Sequence, residues 1–220
     1  MNDDVLTRPL ALVVALAIVS LLPFVFMSVT AFVKISTVLQ IVRSAIGAQS
    51  VPSNTVVLAL SAALTLLAMA PVGSRIAARA APLLDGKDRD TVTLVREGID
   101  AVREPMREFL AKNASPREKT RFLTIARDAR SGAERDAVRE TDLPVLVPAF
   151  VVTELSEAFA VGFLLYLPFL ILDLVVGNIL LALGMQMLSP TQVSLPFKLL
   201  LFVAIDGWGL LSQALVAGYR

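Results

Sequence analysis

Cysteine and histidine are both missing from this 220-residue chain. Without cysteine there is no disulfide, no thiolate nucleophile and no Cys-based zinc site. Without histidine, Ser-His-Asp catalysis, imidazole metal ligands and histidine proton relays are excluded. These absences remove most familiar hydrolase mechanisms. We therefore predict no enzyme activity and no catalytic, cofactor-binding or metal-binding residue.

Charge is scarce and unevenly placed. Charged residues make up 18% of the chain against 56% hydrophobic residues, and the net charge is +1. This composition is too apolar for an ordinary soluble domain and gives no reason to expect nucleic acid. Of the 39 charged residues, 28 lie between Arg75 and Asp142. We predict three parts: hydrophobic helices in 1–72, a charged helical insertion in 73–142, and hydrophobic helices in 143–220.

The first apolar block contains two candidate membrane spans. Residues 9–33 carry no charge and exceed the roughly 20 residues that cross a bilayer core as a helix. The acidic start, Met1-Asn2-Asp3-Asp4, and the length of this run argue against a cleavable signal peptide. Residues 44–74 are also uncharged, and their dense apolar stretch, 55–70, predicts a short second span.

The charged insertion has the period of amphipathic helices. Its apolar residues recur at spacings of three and four: Val92, Val95, Ile99, Val102, Met106 and Phe109. The segment Ser115-Pro116-Arg117-Glu118 combines an N-cap hydroxyl, a proline at the first helical position and a glutamate three residues after the serine. A second helix is predicted to begin there and to bury Phe122, Ile125 and Ala129. We interpret the insertion as a small soluble helical layer without a binding site of its own.

The last apolar block is long enough for several helices. Residues 143–188 form an apolar run of about twice one span, which Pro168 and Gly177 interrupt. We predict two helices with a break near Pro168, followed by a last apolar stretch over 197–217. If one of the two helices lies in the membrane interface, the whole chain makes four crossings, and five is the less favoured count.

Two short loops with unopposed basic residues predict the orientation. One carries Lys34 and Arg43, and Lys198 begins the last span. Because short cytoplasmic loops are enriched in basic residues, both loops are predicted to be cytoplasmic. The charged insertion then lies outside the cytoplasm, on the periplasmic side in a bacterium.

Ionisable groups within apolar helices are costly and are therefore candidate functional residues. They are Glu154, Glu157, Asp173, Lys198 and Asp206. One interpretation is a proton path in a secondary transporter, and the other is a set of charges at the membrane surface or at subunit interfaces. The transporter is the less favoured alternative. It predicts internal repeats, and we find none in the sequence. A membrane-embedded hydrolase would need a serine with a lysine base, and no motif supports one.

Several prolines interrupt the apolar helices or lie beside them. The prolines in or beside apolar segments are residues 23, 71, 144, 148, 168, 190 and 196. In lipid such breaks require cover from other protein, so we predict packing against partner subunits.

Met185 and Met187 flank Gln186 in a short connection, where flexible thioethers serve as core filler or as an adaptable ring. Trp208 is interpreted as an interfacial anchor.

Together these segments resemble the FliP/SctR (YscR/HrcR) family of type III secretion over nearly the whole chain. The segments that carry the resemblance are Phe32-Val33-Lys34, Arg43-Ser44-Ala45-Ile46-Gly47, Pro52-Ser53-Asn54, Met69-Ala70-Pro71-Val72, Pro148-Ala149-Phe150-Val151-Val152-Thr153-Glu154-Leu155, Pro168-Phe169-Leu170-Ile171-Leu172-Asp173-Leu174-Val175, Leu195-Pro196-Phe197-Lys198-Leu199 and Asp206-Gly207-Trp208. The predicted absence of a signal peptide departs from many flagellar members and favours the injectisome branch.

The resemblance implies an all-α membrane protein of about four proline- and glycine-broken segments, arranged in hairpins with a small soluble insertion. It implies a non-enzymatic gate for unfolded secreted proteins in the bacterial inner membrane. In that gate five copies surround a channel with FliQ/SctS-type and FliR/SctT-type subunits, and an FlhB/SctU-type switch protein docks on them. The assembled core lies largely above the bilayer plane. The family's methionine-rich gasket maps onto Met185, Gln186 and Met187, where Gln186 interrupts the run.

Overall fold

The computed structural model describes residues 3–48, 52–84 and 91–219, except the side chains of residues 3–11, 14, 15, 18, 84, 91 and 92. All regular structure in these ranges is helical, which confirms the all-α prediction. The helices are α1 (Asp3–Val29), α2 (Phe32–Ile46), α3 (Asn54–Leu84), α4 (Thr91–Asn113), α5 (Pro116–Asp128), α6 (Ala133–Ala137), α7 (Leu143–Ala182), α8 (Pro190–Ala204) and α9 (Gly207–Ala217).

A sharp bend separates α1 from α2. The two axes differ by 74°, so the predicted first span, 9–33, ends as a helix at Val29 and its last residues belong to α2. Near the bend, the Ser28 and Thr30 hydroxyls each donate to a carbonyl four residues back, at 2.7 Å. Such back-bonding competes with the helical ladder and favours bending.

Helix α2 lies at the centre of the molecule. Ile35, Val38 and Leu39 are fully buried, and α2 makes its most extensive contact with α7. Gly162 allows this close crossing, because a Cβ atom there would lie 2.5 Å from Cδ1 of Ile41. The short α2 therefore becomes the element around which α3, α7 and α8 are arranged.

Helix α7 runs unbroken for 40 residues, about 60 Å at 1.5 Å per residue. The prediction of two helices with a break near Pro168 was wrong. A proline removes one backbone hydrogen bond, but apolar surroundings offer the remaining carbonyls and amides no water as an alternative partner. Packing also holds the turns around Pro168, since Ala158 and Phe169 are buried.

The last apolar stretch, 197–217, is divided by a turn. Helices α8 and α9 are bent by 58°, and Asp206 at the turn has a positive φ of 51°. Helices α3 and α7 are each long and apolar enough to cross a membrane, and the described residues provide up to four spans if each bent pair counts as one. The predicted four crossings equal that upper count.

The insertion begins its second helix where the sequence predicts. The Ser115 hydroxyl accepts from the Glu118 backbone N–H at 3.3 Å, and Pro116 occupies the first helical turn. The Ser115 backbone N–H donates to the Thr153 hydroxyl at 3.0 Å. The N-terminal end of α5 is therefore anchored directly to α7.

Burial within the insertion differs from the prediction. Phe122 is half-buried, but Ile125 is 53% exposed and Ala129 is exposed. The reason is that the contact with α7 holds the start of α5, and the end of the helix lies beyond it. The predicted burial of Ile125 and Ala129 was therefore wrong.

The amphipathic face of α4 is covered by the chain at one end. Phe109 is buried against Phe150 of α7, with 5.5 Å between ring centroids. Val95, Ile99 and Val102 continue the same face and are about half exposed, and the Val92 side chain lies outside the described residues. The helix thus extends its apolar face past its packing partners. The division into three parts stays a prediction, since α3 continues across residue 72.

Candidate functional site: a methionine loop and two buried ion pairs

The connection between α7 and α8 presents the three predicted gasket residues at its tip. Gly184 has a φ of 73°, a left-handed conformation that glycine adopts without strain. The Met185 backbone N–H returns to the Leu180 carbonyl at 2.9 Å and closes the end of α7. Met185 is 47% exposed, Met187 is fully exposed, and Gln186 is exposed between them. The rest of the described chain leaves Met187 uncovered and covers Met185 by about half, so both thioethers can contact another molecule.

An ion pair between α7 and α8 holds the hairpin below this loop. Lys198 Nζ lies 2.7 Å from an Asp173 carboxylate oxygen, and the lysine is 2% exposed. The Ser194 hydroxyl donates to the other oxygen of Asp173. Lys198 also donates to the Ala45 carbonyl at 3.2 Å, at the C-terminal end of α2, where a cation is favoured. This one lysine therefore joins three helices.

A second buried cluster joins α2, α7 and the segment after α9. Lys34 Nζ lies 3.1 Å from Glu154 Oε1 and 2.6 Å from Glu157 Oε2. Glu154 is 1% exposed, and the Tyr219 hydroxyl donates to its second oxygen. The Lys34 ammonium also lies 4.7 Å from the centre of the Tyr219 ring, a distance at which the ring attracts a cation.

The Tyr219 ring extends the second cluster to the insertion. It stacks on Phe109 of α4, with 6.0 Å between ring centroids. Lys34 and Tyr219 thus bring together residues from the first block, the insertion and the last block. A chain that lost this contact would loosen at a point where all three blocks meet.

Sequence reasoning named the acids and Lys198 but did not predict which charges pair. Lys34 and Glu154 are 120 positions apart in the sequence, so no local spacing indicates that they meet. Lys34 was interpreted as a charge that orients the chain and as part of the family resemblance, and Tyr219 was not singled out. Its position just after the apolar stretch 197–217 is a signal that could have drawn attention to its hydroxyl, which needs a partner when buried.

Two of the predicted buried charges are exposed within the described chain. Glu157 is 54% exposed even while it contacts Lys34, and Asp206 lies exposed in the α8–α9 turn. Trp208, predicted as an interfacial anchor, is half-buried and packs edge-on against Phe202 at 5.1 Å. A place for Glu157 and Asp206 at subunit interfaces stays a prediction.

This arrangement positions helices and presents a loop. Breaking a buried ion pair by removing one partner is strongly destabilising, by about 3–5 kcal/mol, so both lysines are needed where they lie. Each lysine shares its charge with carboxylates at contact distance. The ion pairs are therefore structural: they hold the helices that carry the two exposed thioether side chains.

Comparison with known proteins places the whole chain in one family. A sequence model of the FliP family matches residues 15–215. The hypersensitivity response secretion protein HrcR of Ralstonia nicotianae is 43% identical over 210 residues, which covers 96% of this chain and 97% of that protein. The Yop proteins translocation protein R of Yersinia pestis is 39% identical over 94% of this chain and 95% of its own length.

A flagellar relative is similar over the same extent. The flagellar biosynthetic protein FliP of Bacillus subtilis is 36% identical, with 94% of this chain and 90% of that protein covered. The likeness therefore includes both the apolar blocks and the charged insertion between them. With a family match across 15–215 and relatives above 30% identity over nearly their full length, the chain belongs to the FliP family.

Proposed function

We propose that this chain is a pore-forming structural subunit of a type III secretion export gate in the bacterial inner membrane. It has a role in the export of unfolded proteins and performs no catalysis itself. The support is its membership of the FliP family and its likeness to relatives named for secretion and translocation. The assembly consists of five copies with FliQ/SctS-type and FliR/SctT-type subunits, and an FlhB/SctU-type switch protein docks on it. The injectisome branch is the proposed setting.

The observation that carries the proposal is the exposed methionine loop. A channel for unfolded chains must pass side chains of many sizes and still hold back ions between passages. Methionine has a flexible, apolar side chain, so a ring of methionines can exclude water from a narrow pore and yield to a polypeptide. Met185 and Met187 lie at the tip of a hairpin that the Asp173–Lys198 pair holds together. A hairpin held in place by an ion pair and ending in flexible apolar side chains supports the assignment of this loop as a gasket.

Replacing Met185 and Met187 together with alanine tests this assignment. We expect the constriction to widen and small ions to leak, while assembly is kept because both side chains are exposed and contribute little to the core. Small-solute leak or conductance is measured in cells that make the complex, together with complex yield. Gln186→Ala is expected to leak less than the double variant.

Met27→Ala is the matched control, since Met27 is 43% exposed on α1. It should leave leak unchanged. If the Met185/Met187 double variant leaks no more than the control at normal complex abundance, the gasket assignment is wrong.

A further inference from the structure

A cavity of about 370 Å³ opens between α3, the C-terminal end of α4 and Tyr219. Its aromatic side is formed by Phe109 and Tyr219, whose rings stack on each other. Its polar side carries three charged residues, which are Arg75, Glu108 and Lys112. A cavity with both kinds of wall fits a segment of protein that presents a charge beside apolar atoms.

Positive charge exceeds negative charge around this cavity. Glu108 contacts Arg75 at 2.8 Å and Arg79, one turn further along α3, at 3.7 Å. Lys112 is exposed and makes no ion pair with any described residue. Three cations therefore share one carboxylate. Low-dielectric walls beside them concentrate the electric field, so the cavity attracts an acidic group.

The aromatic side of the cavity is already held in place by the rest of the chain. The Tyr219 hydroxyl donates to Glu154, and the Tyr219 ring stacks on Phe109. Phe109 packs in turn on Phe150 of α7. Side chains that are fixed in advance lose little conformational freedom when a partner binds. The cavity therefore has the rigidity of a pre-formed docking surface.

The unmatched acids of the charged insertion indicate what docks there. Most acids in the described part of the insertion have a hydrogen bond or an ion pair within the chain. The described acids that have neither are Asp100, Glu134 and Asp136. Asp100 stands alone on α4, whereas Glu134 and Asp136 lie together on α6, every residue of which is exposed. Helix α6 therefore presents two carboxylates that complement the cavity.

The acids of α6 do not fill the cavity of their own chain. Arg135, the basic residue between them, reaches back to Asp128 of α5 at 3.2 Å. The contacts of α6 within the described chain are chiefly with α5. Helix α5 is about 20 Å long at 1.5 Å per residue, and it separates α6 from the end of α4. No residue of α6 lines the cavity, so a second copy is needed to bring the two together.

We propose that α6 of one copy docks at the α3–α4 cavity of the next copy. Its two carboxylates pair with Lys112 and with the arginines that share Glu108. A contact that joins different surfaces of identical chains is head-to-tail, and it closes into a ring when the rotation per copy allows. The inference rests on the proposed multi-copy assembly and names one contact within it, which gives the insertion a binding role that its sequence pattern did not indicate.

Cross-linking between two differently tagged chains tests the contact. Because the chain has no native cysteine, a cavity-side chain receives Ser74→Cys next to Arg75, and a helix-side chain receives Ala137→Cys on α6, both at exposed positions. The two chains are expressed together with the other subunits, and the complex is treated with a short thiol cross-linker. We expect a product that carries both tags. The helix-side chain paired with Ser20→Cys, which is exposed on α1, is the control and should give little of it.

Charge reversal tests what holds the contact. Lys112→Glu in the cavity-side chain should lower the cross-link, at equal amounts of recovered complex, by about fivefold, the upper range for one exposed ion pair. Glu134→Lys with Asp136→Lys in the helix-side chain should restore most of it, because the charges are exchanged. Arg96→Glu makes the same charge change 16 positions earlier on α4 and should leave the yield unchanged. If Lys112→Glu does not accumulate, the neutral Lys112→Gln replaces it.

The outcomes separate this contact from the proposed function. A complex of normal abundance without the two-tag product would show that α6 docks elsewhere, and the proposed function would stand. An effect of Lys112→Glu no larger than that of Arg96→Glu, or no recovery with the reversed acids, would show that charge complementarity does not hold the contact. If neither tagged chain is recovered with a second copy, the multi-copy assembly is itself wrong and the proposed function fails with it.

Discussion

At the scale of single residues, two lysines neutralise the carboxylates that lie inside the molecule. Lys198 is 2% exposed and contacts Asp173, and Lys34 serves Glu154, which is 1% exposed. A carboxylate left alone at such a place would be costly. Each lysine also reaches a second partner, the Ala45 carbonyl for Lys198 and the Tyr219 ring for Lys34. Removing either lysine therefore breaks contacts to more than one helix.

The Asp173–Lys198 pair is expected to behave as a unit. Lys198→Met should destabilise the protein by about 3–5 kcal/mol, since it leaves a partly buried carboxylate without its cation. The double variant Lys198→Met with Asp173→Leu should recover much of the loss, because replacing a whole pair with apolar groups is often nearly neutral. Thermal unfolding of the purified complex measures both. A double variant as unstable as Lys198→Met would contradict a pairwise role.

At the scale of the elements, the crossing of α2 and α7 rests on the absence of a side chain. Gly162→Ala would place its Cβ 2.5 Å from Ile41 Cδ1, and overpacking of this kind costs about 1–3 kcal/mol. Ile41→Ala in the same chain should restore part of the stability by making room. Gly73→Ala is the control, since a Cβ there meets no atom within 4 Å. Thermal unfolding that is unchanged in Gly162→Ala would show that the two helices do not cross closely.

The orientation of the charged insertion is tested by cysteine labelling. The sequence predicts that it lies outside the cytoplasm, with Lys34, Arg43 and Lys198 on the other side. The structure corrects part of that premise: these residues lie in helices α2 and α8 and not in loops, and Lys34 and Lys198 are paired with acids. Cysteines replace Ser131 in the insertion and Ser44 in α2, both of which are exposed, in a chain that has no native cysteine. A membrane-impermeant thiol reagent applied to spheroplasts should label position 131 and spare position 44. The reverse pattern would invert the topology.

At the scale of the whole molecule, much of the apolar surface is left for other molecules to cover. On α7 alone, Phe159, Phe163 and Leu174 are each about 60% exposed. The face of α4 formed by Val95, Ile99 and Val102 is also open, although it belongs to the charged insertion. An apolar face in a polar segment is typical of a protein contact. The single chain has the surface of a subunit.

Obligate assembly is the prediction at this scale. The protein purified in mild detergent is expected to run as a homo-oligomer or a mixed complex, because exposed apolar faces of this extent are unfavourable unless other protein covers them. Native mass determination after co-expression with the small membrane subunits measures the composition. A stable, monodisperse monomer under the same conditions would count decisively against assembly.

The start of α5 was predictable from a local pattern. The cap at Ser115 is made by atoms three residues apart, so it could be recognised from spacing alone. The break expected at Pro168 was not found, because local propensity was overridden by packing along a 40-residue helix. Burial on α4 and α5 was only partly predictable, since a period shows which residues share a face and not how far the neighbouring helix extends.

The sequence by itself determined the all-α class, the charged insertion, the family and the position of the methionine pair, since these follow from composition, period and ordered local motifs. Whether Met185 and Met187 are core filler or exposed was decided by the structure. Only the tertiary structure decided that Lys34 meets Glu154, that Lys198 meets both Asp173 and the end of α2, and that Tyr219 and Lys112 line one cavity. The physical reason is distance along the chain. Such contacts join residues that are tens of positions apart or more, and their geometry is set by how whole helices cross.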